Sequence, residues 1–207
     1  MKKPFFSVII CSYNRRKLLV DALKSLRAQI FKDFEVIVVD DGSTDCTIKE
    51  MGNFPEIRYF YKKHSGVAEA RNFGILKAKG EYVTFLDSDD VYLPQHLDSR
   101  YKYIVTHDYP YFLHGGFRTV GSQFVPDFYK KGEVVHVDKI ILGPTFFIKN
   151  TLFKKVGNYR KLGYGEDTDF YNRLKQKKVR IYKVKDRTYI YQRHKDSITQ
   201  KKRQADR

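Results

Sequence analysis

Four times in the first hundred residues a short β-branched or aromatic run ends in a polar segment, and the stretches between these runs carry apolar residues at helical spacing. Phe6 to Cys11 is the first run. After it, Leu18, Leu19, Ala22, Leu23, Leu26 and Ile30 form one stripe of a helix predicted from Lys17 to Ile30. Phe34 to Val39 is the second run and ends in Asp40-Asp41-Gly42-Ser43-Thr44-Asp45, a turn-rich segment suited to capping the short helix after it. Ile57 to Tyr61 predicts a third strand. Gly66 to Ala78 predicts a helix with Val67, Ala70, Phe73, Ile75 and Leu76 inward, and Tyr82 to Leu86 a fourth strand running into Asp87-Ser88-Asp89-Asp90. Such apolar strands alternating with helices imply an α/β fold, a mostly parallel sheet with helices on both faces.

Parallel strands send their carboxyl ends to one edge of the sheet. The segments Ser12-Tyr13-Asn14, Asp40 to Asp45 and Asp87 to Asp90 should therefore converge at one crevice, where folds of this class bind nucleotides. Beyond a helix around Leu93 to Val105 the pattern loosens. Strands are expected at Tyr111 to Val120, Val134 to Val137 and Gly143 to Ile148, then a helix from Glu166 to Lys177 with Phe170, Tyr171 and Leu174 inward, then short strands at Val179 to Val184 and Tyr189 to Tyr191. No internal repeat or low-complexity linker interrupts the chain.

At 207 residues the length points to one domain, or one with a short appendage, against roughly 150 residues per domain. It divides into residues 1–95 and 96–170, as two halves around the crevice, and a basic segment at 171–207. With 42% hydrophobic residues, 16 Phe and 16 Tyr, disordered and fibrous classes are excluded. The longest apolar runs fall far short of the roughly 18 residues that span a membrane. Charge at Arg15, Arg16 and Lys17 precedes any signal-peptide core, so a cytoplasmic protein is expected. Cys11 and Cys46, without zinc-type spacing, read as buried small hydrophobes rather than a disulfide.

The net charge of +16 is unevenly placed. Residues 171–207 hold 14 Lys or Arg against three Asp, a net +11. That segment is a candidate contact for phosphates, an anionic membrane surface or nucleic acid, with a solubilising tail as the plain alternative.

The chemistry is concentrated in the acidic segments. Asp87-Ser88-Asp89 after a buried strand is a D-x-D motif, in which two carboxylates from one turn can hold a divalent cation that clamps a diphosphate. An Asp-rich turn also forms for its own hydrogen bonds, Asp40-Asp41 can simply cap a helix, and Glu166-Asp167 can simply complement a helix dipole. Order and context decide between these readings. The segments Ser7-Val8-Ile9-Ile10-Cys11-Ser12-Tyr13-Asn14-Arg15, Val38-Val39-Asp40-Asp41-Gly42-Ser43-Thr44-Asp45, Gly66-Val67-Ala68-Glu69-Ala70-Arg71-Asn72-Phe73-Gly74 and Gly80-Glu81-Tyr82-Val83-Thr84-Phe85-Leu86-Asp87-Ser88-Asp89-Asp90 together resemble the family 2 glycosyltransferases of the GT-A fold. The resemblance is dense over about the first 95 residues. It is thinner beyond, through Gly143-Pro144-Thr145 to Lys154, Gly165-Glu166-Asp167-Thr168-Asp169-Phe170 and Tyr191-Gln192-Arg193-His194 followed by Ser197.

The resemblance implies a site residue by residue. Cys11, Ser12, Tyr13, Asn14, Asp41, Arg71, Asp87 and Ser88 would bind the nucleotide of a nucleotide-sugar donor, most simply a UDP-sugar. Asp41 would accept from the pyrimidine imide, Tyr13 and the backbone of Cys11 and Ser12 would wall the base, and Arg71 would lie near base and phosphates. Asp89 would coordinate Mn2+ or Mg2+ with help from Asp87, Asp90 would support the turn, and His194 would close over the metal or diphosphate. An acceptor hydroxyl attacks well only as its proton leaves, so a base is needed. The resemblance assigns that role to Asp167, with Glu166 on the acceptor and inversion at the anomeric carbon. The implied acceptor is a saccharide or a lipid-linked saccharide, with peripheral attachment to a membrane.

Other classes stay open on the residues alone. A dinucleotide-binding dehydrogenase or a methyltransferase shares the strand and helix rhythm, but Ser-Tyr-Asn-Arg follows the first strand where G-x-G-x-x-G would stand. A noncatalytic nucleotide-sugar or polyanion-binding module is opposed by the intact D-x-D and Glu-Asp pairs. Glycosylation of a nucleic acid base is the alternative that the basic segment suggests.

Overall fold

The computed structural model describes residues 3–130 and 132–193. Its main sheet is built outward from β1 (Phe6–Ser12), which pairs in parallel with β2 (Phe34–Asp40) on one side and with β4 (Tyr82–Phe85) on the other. β3 (Arg58–Tyr61) extends the sheet beyond β2. Past β4 the order continues through β10 (Phe147–Lys149), β6 (Phe112–His114) and β11 (Tyr182–Lys183), with β10 alone reversed. The register of Ser12 against Asp40 and Ile9 against Phe85 brings the ends of β1, β2 and β4 to one edge, as parallel pairing requires.

Side-chain alternation along β1 divides the core into two layers. Phe6, Val8 and Ile10 pack with Leu19, Leu23 and Leu26 of α1 (Arg16–Arg27) and with Leu97 and Ile104 of α3 (His96–Thr106). Ile9 faces the other way, toward Ala68, Ala70 and Ile75 of α2 (Val67–Lys77), Phe153 of α4 (Leu152–Val156), and Phe170 and Leu174 of α5 (Glu166–Gln176). Helices thus cover both faces, each burying one apolar stripe. A smaller sheet joins β5 (Val91–Tyr92), β12 (Tyr189–Gln192) and β7 (Phe117–Val120), and β8 (Phe124–Pro126) pairs with β9 (Val134–His136) as a hairpin.

The structure departs from the sequence reading at particular places, each with a physical reason. Ile30 lies beyond the end of α1 and is 62% exposed; Leu76 points away from the sheet at 76%. The inward face of α2 is made of small residues instead. A Cβ on Gly74 would stand 2.5 Å from Ile9 Cγ2, so the helix lies closer to β1 than a larger residue permits. That approach offsets the roughly 1 kcal/mol that glycine costs inside a helix relative to alanine. Tyr171 is only partly buried, while Phe170 and Leu174 are fully so.

The strand expected from Tyr111 to Val120 breaks at Gly115 and Gly116, both at positive φ (+99° and +73°), so that β6 stays in the main sheet and β7 enters the smaller one. A Cβ on Gly116 would come 2.2 Å from the carbonyl oxygen of Asp186. The wholly buried Arg100 guanidinium ties this crossing together, donating 3.1 Å hydrogen bonds to the carbonyls of Gly115 and Asp186. Gly143 to Thr145 form a 3-10 turn, not the first half of a strand, because Pro144 cannot donate to a ladder. Cys46 is exposed at φ +59°, against the expectation of a buried thiol, while half-buried Cys11 is a free thiol as expected. Among the described residues no helix is long and apolar enough to cross a membrane. His194 and the rest of the basic segment from residue 194 onward lie outside the described residues.

Candidate functional site

The first wall of the crevice is the end of β1. The main-chain oxygen of Ser12 accepts from Asp41 N at 2.8 Å, locking the two strand ends together. Asn14 takes the left-handed conformation (φ +51°) that Asn tolerates better than most residues. There its side-chain oxygen accepts from Thr44 N at 2.7 Å while its own N–H donates to Ser43 Oγ at 2.9 Å. Asn14 therefore clips the loop after β2 in place. Tyr13, 45% exposed, presents its ring to the crevice, and the His64 ring stacks on it with centroids 4.1 Å apart.

The second wall is the Asp40-Asp41 pair, whose members do different things. Asp40 closes its own turn by accepting from Ser43 N at 2.7 Å and from the Tyr59 hydroxyl at 2.6 Å. Asp41 reaches the loop that opens α2, accepting from Gly66 N at 2.8 Å, Ser65 N at 3.1 Å and Lys62 Nζ at 2.7 Å, with His64 Nδ1 2.9 Å from Oδ2. A carboxylate at the positive end of a helix, 5% exposed and so well supplied with donors, is held in a fixed orientation. A ligand imide at Asp41 would take the place of one of these side-chain donors.

The third wall is the turn after β4. Asp90, 1% exposed, anchors the turn to β12 by accepting from the Tyr189 hydroxyl at 2.5 Å and from Gln192 N at 2.7 Å. Burial raises its pKa well above the carboxylate range, as do Asp87 and Asp89, against the two hydrogen bonds. Asp89 is ion-paired with Arg15, and the Asp87 side chain is 37% exposed to the crevice. Ser88 is buried between them. Burial pushes Asp87 up to about 6; Arg71 opposes that rise, and Asp89 and Asp167 add to it.

Arg71 joins this turn to the far side of the crevice. Its side chain is 7% exposed. Its Nη1 donates to Asp167 Oδ1 at 2.5 Å and its Nη2 to Asp87 Oδ1 at 3.4 Å, and the guanidinium lies over the rings of Phe85 and Tyr159. Burial works against its charge, but Asp167 and Asp87 more than offset that and raise its pKa. Asp167 and Glu166 open α5, after Gly165 has turned the chain at φ +80°; both stand in the first helical turn, where a carboxylate is stabilised by the dipole. Asp169 points elsewhere, to Arg173 at 2.8 Å and Arg160 at 3.3 Å.

Cys11 lies among these groups, and burial pushes its thiol up to about 12, so it serves there as a neutral wall. Asp41, Arg71, Asp87, Asp89 and Asp167 thus line one crevice built from five segments of chain. Sequence reasoning missed the partners Arg15, Lys62, His64, Tyr159 and Tyr189. Arg15 alone had a local signal, being the basic residue that ends the first strand-end segment. Asp87 and Asp89 supply the hard oxygen donors that Mg2+ and Mn2+ prefer. Among the described residues no group of three or more His, Cys, Asp or Glu could hold a metal ion.

Comparison with known proteins gives a consistent picture. The family model described as "Glycosyl transferase family 2" matches residues 7–160. An uncharacterized glycosyltransferase of Rickettsia felis is 38% identical over 121 residues, covering 56% of this chain and 20% of the relative, so the chain spans about a fifth of that protein's length. Among solved structures, S. aureus TarS 1-349 in complex with UDP-GlcNAc is 26% identical with a TM-score of 0.79, over 95% of this chain and 60% of TarS 1-349. The mannosyltransferase PcManGT of Pyrobaculum calidifontis, in complex with GDP-Man and Mn2+, shares the fold at 22% identity and a TM-score of 0.70, over 92% of this chain and 57% of its own.

Proposed function

The chain belongs to glycosyl transferase family 2 and has the GT-A fold, and we propose that it transfers a sugar from a nucleoside diphosphate donor, a UDP-sugar, to an acceptor hydroxyl with inversion. The observation that carries this reading is the position of Arg71, whose single guanidinium touches both Asp87 on the donor side and Asp167 on the opposite side. Tyr13 offers an exposed ring face for the base and Asp41 a fixed acceptor for its imide. Asp87 and Asp89 would hold Mn2+ or Mg2+. Bound there, the cation would supply charge neutralisation for the departing diphosphate, so no acid need protonate it.

Asp167 takes the acceptor proton as the hydroxyl attacks the anomeric carbon from the face opposite the diphosphate. Its place in the first turn of α5, hydrogen-bonded to Arg71, fixes the carboxylate before substrate arrives, which is where positioning contributes most. Glu166, largely buried beside it, orients the acceptor. The acceptor class that fits is a saccharide or a lipid-linked saccharide.

A thermal-shift panel of UDP-, GDP- and dTDP-sugars, each with Mn2+ and with chelator, tests the reading. At a donor concentration 100 times its Kd the linkage is about 2.7 kcal/mol, or about 5 to 10 °C for a chain of this size. The expected result is a rise of that order with a UDP-sugar and Mn2+, lost on chelation. No rise with any donor in the presence of metal would remove the nucleotide site.

A further inference from the structure

We propose that Gly143 is a positioning residue for transfer: the side chain it lacks is the space in which the Asp167 carboxylate rests. The inference rests on the reading of Asp167 as the base. A Cβ placed on Gly143 would stand 2.0 Å from Asp167 Cγ and 2.1 and 2.2 Å from Oδ1 and Oδ2. Among the described residues no other glycine has a carboxylate as its three nearest neighbours. Gly143 is not among the positive-φ glycines, so its backbone conformation is open to alanine, and the three atoms nearest the added Cβ all belong to the carboxylate.

The backbone here has little room to retreat. Gly143 is buried and opens the 3-10 turn before β10. Its carbonyl accepts from Phe146 N at 2.9 Å, and the Thr145 hydroxyl donates to Leu142 O at 2.6 Å while accepting from Gly115 N at 3.1 Å. On its other side the carboxylate accepts from Arg71. Asp167 is thus held between a bare α-carbon and a guanidinium. A methyl group at position 143 would force its short side chain to rotate away from Arg71. The rotation breaks the ion pair with Arg71, at some cost in stability, and is more costly still for chemistry, because a misplacement of about 1 Å can lower a rate 100-fold.

The test compares Gly143→Ala, Asp167→Ala and the double variant with the parent. Two quantities are read: the unfolding midpoint without ligand, and the rate of UDP release, with Mn2+, from the UDP-sugar that stabilises the parent most. Gly143→Ala is expected to lose about 100-fold or more in kcat at an unchanged donor KM. Added to Asp167→Ala, the same change should cost nothing further in rate and leave the midpoint unmoved, since the group it collides with is gone. If Gly143→Ala does not fold while the double variant does, the collision with the carboxylate is again the cause. Parent-like turnover by Gly143→Ala, or an equal loss of midpoint in both backgrounds, would overturn the proposal. Parent-like turnover by Asp167→Ala would instead overturn the reading of Asp167 as base, and the role given to Gly143 with it.

Discussion

Asp167→Asn is expected to lower turnover by about 100- to 10,000-fold, the usual contribution of a general base, while leaving donor binding intact. The amide nearly matches the carboxylate in shape, so the space beside Gly143 stays filled. It has no basic lone pair at neutral pH, and the acceptor hydroxyl keeps its proton as it approaches. Donor affinity should hold because the hydrogen bond of Asp167 runs to Arg71 and not to Tyr13, Asp41, Asp87 or Asp89, the residues proposed to hold the donor. Steady-state rates at saturating donor, with donor affinity measured separately, check this. If turnover survives, Asp167 is only a helix-opening residue, and Asp169, already engaged by Arg160 and Arg173, is a poor substitute for it.

Arg71→Met is expected to cost more in stability than any other single change in the crevice. Methionine retains part of the packing against Phe85 and Tyr159 but removes the positive charge between Asp87 and Asp167. Breaking a buried ion pair from one side typically costs 3–5 kcal/mol, because the partner is left uncompensated. The side chains of Asp87 and Asp167 are 37% and 22% exposed, so solvent screens part of that cost. A loss of about 3 kcal/mol, or about 6 to 12 °C in the unfolding midpoint, follows. Turnover should fall as well, since the group joining the two sides of the crevice is gone. Thermal unfolding of the purified variant measures the first effect, and a midpoint within 2 °C of the parent contradicts the bridging role.

The parts of the fold that depend on local pattern were legible in the chain. The β1-α1-β2 unit follows from apolar runs, helical spacing and turn chemistry, all of which act over a few residues. Convergence of the acidic segments follows from parallel pairing alone. What periodicity does not register is how close two elements approach. It treats Leu76 as inward because leucine is apolar, whereas the short distance from α2 to β1 selects Ala68, Ala70 and Gly74 for that face. Likewise the run from Tyr111 to Val120 reads as one strand until the Asp186 carbonyl and Arg100, both distant in sequence, require a turn at Gly115 and Gly116.

The candidate site divides along the same line. The carboxylates Asp41, Asp87, Asp89 and Asp167 stand out as motifs, because each sits at the end of a recognisable element. Their partners do not. Lys62 and His64 come to Asp41 from the loop before α2, Arg15 comes to Asp89 from the start of α1, and Tyr189 comes to Asp90 from β12. Arg71 is singled out by the resemblance of its segment as a residue near base and phosphates, whereas its ion pair with Asp167 depends on burial that spacing cannot encode.

The most direct test of the donor site is the position of a bound nucleotide, read from electron density of crystals grown with UDP and Mn2+. The expected density places the uracil on the Tyr13 ring beside Asp41 and the diphosphate next to Asp87 and Asp89, with a cation between them. A nucleotide bound elsewhere on the molecule, or one seated in the crevice with Asp89 still paired to Arg15 and no cation at the turn, would contradict it.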